Sequence, residues 1–473
     1  MTVSNLAENK KNINQVFEAQ LTNHYNVAES SVKERISKLQ KLHDTVLKYN
    51  KEIKEALFKD YRRPAAEVDL IEIFPVTSGI KHIKRNLRRW MSPQRVATPL
   101  SLVGSTSWIK YEPKGVCLIL SPWNLPIHLA LAPLSSAIAA GNTVIIKPSE
   151  ITPNSSAVLR MIVEEIFNEN EVAVIEGDVE TATALLDLPF NHIFFTGSPE
   201  VGKIVMAAAS KNLASVTLEL GGKSPTIVDE TADIKTASAQ IARTKFSNNG
   251  QLCVAPDYIL VHESKLDKFV KSIKLKINEF YGENAAVSES YMRIINSRNF
   301  QRVKSYIDDA IKDGANVVHG GKSDSNDNYI EPTLVTDLPL HSPIMHNEIF
   351  GPVLPIISYK NLQEAIDLIR SKERPLGLYI YSKNKQNINR IIQSTRAGGT
   401  CINNNALQFF HHNLPFGGTN NSGIGKTHGR FGFIAFSNER SVYKQVLPSA
   451  LDILMPPYNN SKQKLIDLTV KWF

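Results

Sequence analysis

Gly115-Val116-Cys117-Leu118-Ile119-Leu120 and, after an apolar helix spanning roughly 127–140, Asn142-Thr143-Val144-Ile145-Ile146-Lys147 are two nearly unbroken apolar runs. A strand with no polar face needs cover on both sides, and that is the condition of a parallel sheet wrapped by helices. The alternation continues. Thr152-Pro153 predicts a capped start to a helix carrying Leu159, Ile162, Val163 and Ile166, followed by strand Val172-Ala173-Val174-Ile175, a helix at 179–187 and strand His192-Ile193-Phe194-Phe195. Past Leu220 the rhythm restarts with strands near 226–228, 258–261, 315–318, 378–381 and 399–402, separated by helices from 233 and 264 and over 297–313, 362–371 and 384–396. The fold class is therefore α/β, with two doubly wound α/β domains. A chain of 473 residues needs more than one core, since single cores rarely grow past about 250–300 residues.

Outside this alternation, residues 10–60 carry helical spacing, and Val96-Ala97-Thr98 with Ser107-Trp108-Ile109-Lys110-Tyr111 flank Gly104 as a hairpin. The polar loop Gly320–Asn328 reads as mobile. Apolar residues at 42% and charged residues at 21% suit a soluble globular chain and argue against disorder. The net charge of +8 comes largely from helical faces such as Lys81, Lys84, Arg85 and Arg88, opposite Ile83, Leu87, Trp90 and Met91. No aromatic RNA-binding signature or basic tail accompanies it, so nucleic acid is not an expected partner. There is no signal-peptide stretch and no membrane span, and three isolated cysteines make no disulfide framework, so a cytoplasmic protein is expected.

Cys253 is the residue that points to chemistry, because it lies between Ser247-Asn248-Asn249-Gly250-Gln251 and Ala255-Pro256 rather than inside an apolar run. Cys117 and Cys401 do lie in such runs and read as core. A thiol alone is no nucleophile without partners. The glycine-rich dinucleotide fingerprint follows none of the early strands. Instead Phe195-Thr196-Gly197-Ser198-Pro199 leaves a strand and opens a helix, with Ser198 as cap, a place where free amides can hold a pyrophosphate; a capped turn without ligand is the alternative. Glu219, between Leu218 and Leu220, is a carboxylate too costly to bury without a use. His411-His412 has no third ligand at zinc spacing, so no metal is expected.

At these residues the chain resembles the aldehyde dehydrogenase superfamily, most closely its class 3 branch. The matching blocks are Ser121-Pro122-Trp123-Asn124, Ala140–Val144 leading to Lys147-Pro148-Ser149-Glu150, Phe195–Ser198, Leu218–Pro225, Gly250–Tyr258, Glu348-Ile349-Phe350-Gly351-Pro352, Leu414–Gly418 and His428–Phe433. The resemblance implies NAD(P)-dependent oxidation of an aldehyde to a carboxylic acid, through a thiohemiacetal and a thioester on Cys253. Asn124 and the Cys253 N–H would hold the oxyanion, and Glu219 would activate the deacylating water. Lys147 and Glu150 would hold the adenosine ribose, with NAD as cofactor and NADP possible. Trp123, Thr196, Gly197 and Ser198 would contribute to cofactor binding, with Glu348 at the nicotinamide ribose and Phe350 beside the ring. On side-chain chemistry alone, Asn124 could be a turn residue, Lys147 a lysine reaching out from a strand end, and Glu348 a loop carboxylate.

The resemblance also implies a division into a dinucleotide-binding domain (1–94 and 113–220), a catalytic domain (221–405), a β oligomerisation flap (95–112 and 439–448) giving a homodimer, and a C-terminal extension (449–473) used as a docking helix. Two places depart from class 3. Leu125 stands where an aromatic residue is usual, and Asn420 stands in a block that normally carries glycine. Phe409 and Phe410 either line the substrate entrance or pack in the core. Rival readings are a cysteine hydrolase, which needs a histidine beside Cys253, and a catalytically silent NAD-binding protein; acylating relatives that use coenzyme A fit Lys147 and Glu219 less well.

Overall fold

Apolar strands that alternate their side chains across a sheet feed two cores at once, and this is how the first half folds. In the computed structural model, which describes residues 3–472, Val116, Leu118 and Leu120 enter one core with Ile145, Ile193, Phe195 and Leu218. Cys117 and Ile119 enter the opposite core with Val144, Ile146 and Phe194. The sheet has six strands in the spatial order 423–424, 215–220, 192–197, 116–120, 143–147, 172–174, all parallel except the first pairing. Chain order reverses between strand Val116–Leu120 and strand His192–Gly197. In open α/β sheets that reversal opens a crevice beyond the carboxyl ends of the strands, and Trp123-Asn124 and Gly197-Ser198 lie there.

The second sheet has seven strands in the order 316–319, 333–336, 353–359, 258–262, 225–228, 377–381, 399–402. It too lies between two apolar cores. Strands Gln94–Val96, Ser105–Pro113 and Ser437–Gln445 form a separate antiparallel sheet, so the expected hairpin gains a third strand from near the C-terminus. After Ile402 the chain returns to the first sheet, where Gly423–Ile424 pairs with strand Ser215–Leu220 and Phe433 and Phe436 enter its core.

Three local expectations need correction. Thr152 does not cap helix Pro153–Ile166, and its hydroxyl is buried without a partner. The cap is Asp60, whose carboxylate accepts from the Asn154 N–H at 3.2 Å, the Ser155 N–H at 2.9 Å and the Ser155 hydroxyl at 2.6 Å. The stretch expected to be a mobile loop holds a short hairpin, Ser323–Asp324 against Tyr329–Ile330. Cys117 is fully buried, but Cys401 is half-buried, because its strand is the outermost of the second sheet and has a neighbour on one side only.

The helical opening carries the support for the crevice. Pro75 has no N–H to give to the carbonyl of Ile71, and the helix passes through a π-turn at Asp69–Ile73 just before helix Phe74–Met91. The His128 ring takes up the Ile71 carbonyl. The π-turn brings Glu72 into the interior, fully buried, where it pairs with Arg63, also fully buried, and accepts from the His128 N–H at 2.7 Å at the start of helix His128–Ala140. Burial pushes the Glu72 carboxyl up; Arg63 and the helix amides pull it back.

Two stability outcomes follow. Arg63→Met strands Glu72 as an unpaired buried acid and is expected to cost about 3–5 kcal/mol, seen as a lower urea midpoint. Asp60→Ala is expected to cost about 1–3 kcal/mol, whereas Thr152→Val leaves the midpoint unchanged or raises it; equal losses in both variants would refute the assignment of the cap.

Candidate active site

Arg63 links the helices to both sheets. One side of its guanidinium meets Glu72; the other donates to the backbone carbonyl of Asn124 and to the Asn248 side chain. The Asn124 carbonyl also accepts from the Tyr61 hydroxyl at 3.1 Å and the Asn248 amide at 3.1 Å. Asn248 and Asn249 both adopt the left-handed conformation, which asparagine tolerates better than most residues. Gly250 follows with φ 72°, and a Cβ there would lie 2.2 Å from the Gly351 carbonyl, so only glycine fits. This tight turn delivers Cys253.

The Asn124 side chain donates from Nδ2 to the Gln251 carbonyl at 3.0 Å, which leaves one of its two N–H bonds for a ligand. Asn124 therefore touches the turn that carries Cys253. Trp123, Asn124, Thr196, Gly197, Ser198, Glu219, Cys253, Glu348 and Phe350 all line one cleft of about 1270 Å³ between the two sheets. That volume exceeds an ordinary small-ligand pocket and suits a dinucleotide with a second substrate.

Lys147 and Glu150 lie outside that lining and pair with each other at 2.6 Å, Lys147 buried and Glu150 exposed. They still share the sheet edge with the cleft: Lys147 is in register with Leu120, and its carbonyl accepts from Ser121.

The cleft is acidic where its chemistry is. Glu219 has both carboxylate oxygens buried and without hydrogen bonds, and burial pushes its carboxyl well above the ordinary range while Lys426 pulls it down. Glu348 is pushed up to about 8 by burial and by Asp257, against the Gly222 N–H and Lys223. The Cys253 thiol is raised by burial, by Glu348 and by Glu219, and lowered by the N–H groups of Cys253 and Val254. The charged groups that act on it are acids.

Elsewhere in the cleft, Ser198 caps helix Pro199–Lys211 through the Val201 N–H, as expected, and the Thr196 hydroxyl is buried without a partner. A Cβ on Gly221 would meet Glu348 Oε2 at 2.0 Å, so the carboxylate rests on bare backbone. Phe350 is held at φ 46°, an uncommon conformation for an aromatic residue, with Arg302 donating to the Ile349 carbonyl at 2.8 Å and the Phe350 carbonyl at 3.4 Å. The Phe350 ring stands edge-on to Trp123 at 5.5 Å.

Phe409 is buried among Phe410, Phe416, His128 and His428, in an apolar cluster that also packs on Cys253 and Leu129. Asn420 sits at φ 54°, so it takes the left-handed conformation that the glycine it replaces would take freely. His412 bonds to Ser78 at 3.0 Å, and among the described residues no group of three or more His, Cys, Asp or Glu could hold a metal ion.

Sequence reasoning missed Arg63, Glu72, Asn248 and Lys426. An acid inside the apolar run Leu70-Ile71-Glu72-Ile73-Phe74 was the available signal.

Residues 2–442 match the model of the aldehyde dehydrogenase family. The chain is 44% identical over 424 residues to 4,4'-diaponeurosporen-aldehyde dehydrogenase of Staphylococcus aureus (strain NCTC 8325 / PS 47), covering 90% of this chain and 92% of that one. It is 40% identical over 438 residues to aldehyde dehydrogenase family 3 member H1 of Arabidopsis thaliana, covering 92% and 90%. The solved substrate-bound state of Staphylococcus aureus AldH superposes with a TM-score of 0.92 at 42% identity, covering 97% of this chain and 99% of that one. The chain belongs to the aldehyde dehydrogenase family, close to its class 3 members, and its reaction is the NAD(P)-dependent oxidation of an aldehyde to a carboxylic acid.

Proposed function

We propose that Cys253 is the nucleophile of this oxidation, that Asn124 and the Cys253 N–H stabilise the oxyanion, and that Glu219 is the base of deacylation. The observation that carries the reading is the convergence of a thiol, a spare amide N–H and an unpartnered carboxylate on one cleft. Cys253, as thiolate, adds to the aldehyde carbon, and the oxygen that becomes negative is met by the two N–H donors. The nicotinamide, when bound, accepts the hydride. Glu219 then takes a proton from water as the water adds to the Cys253 thioester, and the acid leaves with return of the thiolate.

Residues of the cleft fit that cofactor. The unpaired Thr196 hydroxyl, the helix start at Ser198 and Gly197 suit its phosphates. Glu348 suits the ribose of the nicotinamide half, and Phe350 and Trp123 suit the ring. Lys147 and Glu150, at the adjoining strand end, suit the adenosine ribose, where the acid disfavours a 2′-phosphate. Residues 1–94 with 113–220 then serve as the dinucleotide-binding domain and 221–405 as the catalytic domain.

The three-stranded sheet is read as a dimerisation flap. Its unpaired strand edges and the exposed Leu100, Val103, Tyr443, Val446 and Leu447 form a surface that a second copy of the chain would cover. Helix Asn460–Trp472 in the 449–473 extension has no buried residue and exposes Leu468, Val470 and Trp472, which supports a docking role. Among the described residues no helix is long and apolar enough to cross a membrane, and the three free cysteines support a cytoplasmic setting.

NADH formation with a panel of aldehydes tests the assignment. Cys253→Ala is expected to form none, Asn124→Ala to slow the first turnover about 10²–10³-fold, and Glu219→Gln to release a burst of NADH and then stall, with turnover down about 10²–10⁴-fold. Full turnover in any of the three removes that residue from its role. Sedimentation velocity tests the flap: a dimer for the native chain and a monomer for Val446→Glu with Leu447→Glu are expected, and a native monomer would discard the flap reading.

A further inference from the structure

A base that must be ionised when water attacks has been built at Glu219 with no hydrogen bond to either oxygen. Its strand lies between Thr196 on one side and Gly423 on the other, neither of them charged. The groups with charge that face it are few. Cys253 and Glu348 line the same cleft as Glu219, Glu219 acts electrostatically on Cys253, and Lys426 acts on Glu219.

Lys426 is close by construction. Its ammonium donates to the Gly417 carbonyl and to the Gly418 carbonyl, the latter at 3.0 Å. A Cβ placed on Gly417 would lie 3.1 Å from Glu219 Oε1 and 3.1 Å from Lys426 Cδ, so the lysine stem and the carboxylate pack against the same bare glycine. Lys426 also follows Gly425 and strand Gly423–Ile424, whose pairing with Leu218 and Glu219 fixes where the side chain starts. Both of its hydrogen-bond partners are neutral carbonyls, so its charge is not cancelled locally.

Resting on the reading of Glu219 as the deacylating base, we propose that Lys426 is a positioning residue that keeps Glu219 ionised for proton abstraction while tying down the Gly417-Gly418 turn beneath it. The water O–H bond breaks toward Glu219, the new C–O bond forms at the thioester carbon, and the C–S bond to Cys253 then breaks. The lysine takes no part in bond making; it supplies the positive charge without which the carboxyl, in its dry site, holds its proton. Among the described residues it is the one cation acting on Glu219, and the mutual pull agrees with the geometry: Lys426 lowers the Glu219 carboxyl, and Glu219 raises the Lys426 ammonium that burial lowers.

The sign of the effect is fixed. Removing a cation raises a carboxyl pKa, so the acid limb of the deacylation rate moves to higher pH, and the rates converge again where both forms are ionised. The experiment follows the NADH burst and the steady-state rate across pH for wild type, Lys426→Met, Lys426→Arg and Glu219→Gln, in the full-length enzyme. Lys426→Met is expected to keep the burst amplitude and kcat/KM for the aldehyde, with KM falling in step with turnover. Its acid limb moves up by about one pH unit, which lowers turnover about tenfold below the shifted limb, and Lys426→Arg restores the wild-type limb. The burst amplitude counts correctly folded sites, so a folding defect is separated from a change in the base. An unshifted limb in Lys426→Met, or a limb in Lys426→Arg that stays with Lys426→Met, overturns the proposal. If Glu219→Gln stalls after the burst while Lys426→Met overlays wild type, only the lysine is wrong; if Glu219→Gln turns over normally, the base assignment falls and the lysine role with it.

Discussion

An ionised pair held entirely away from water, Arg63 with Glu72, is the joint on which the geometry of the cleft depends. A guanidinium taken out of water must meet acceptors, and Arg63 meets three from different parts of the chain: a carboxylate on a π-turn, the Asn124 carbonyl beyond the first sheet, and the Asn248 side chain before Cys253. Glu72 reaches further and closes the start of helix His128–Ala140. The loops leaving the two sheets are thereby fixed relative to each other by one group. Replacing the pair by apolar side chains could match its stability but would not supply those directional bonds, so its value lies in position.

The site itself runs against stability. Glu219 and Glu348 both carry carboxyl groups raised above their ordinary range by burial. In the folded chain these groups bind protons at pH values where the unfolded chain has released them, so each removes stability as pH rises from about the ordinary carboxylate value of 4.3 toward its folded value. The Cys253 thiol is raised first by burial and then by the same acids. Lys426 opposes the effect of burial at Glu219, and the N–H groups of Cys253 and Val254 oppose it at the thiol.

Much of this was legible in the sequence because the signals are local. Apolar runs of strand length mark 116–120, 143–147 and 192–197, and Ser198-Pro199 marks a helix start, because cap and helix are adjacent in the chain. Thr152-Pro153 looks identical on paper and fails because Asp60, far upstream, reaches the same amides first. Strands Thr333–Thr336 and Val353–Tyr359 are masked by Pro332, Pro352 and Pro355, residues that usually interrupt strands. Glu219 stands out because an acid between leucines in a strand needs a reason. Arg63 and Lys426 do not, since nothing in Arg62-Arg63-Pro64 or Gly425-Lys426-Thr427 tells which carbonyls or carboxylates will face them.

Of the two readings of Phe409, substrate entrance or core, the structure shows a core residue, one whose cluster also reaches the thiol. The ring is buried and packs edge-on against Phe410, Phe416 and the rings of His128 and His428, as a core residue does. The same cluster presses on Cys253 and Leu129. The thiol thus has an apolar cluster as a packing neighbour, while the charged groups that act on it, Glu348 and Glu219, are acids. Close packing of its aromatic rings makes that cluster stiff. Leu125, which follows Asn124 where class 3 relatives usually carry a ring, is buried. An aliphatic side chain fills that buried place where a ring would offer an aromatic face, while the thiol, the amide and the carboxylate of the cleft stand as the resemblance implies.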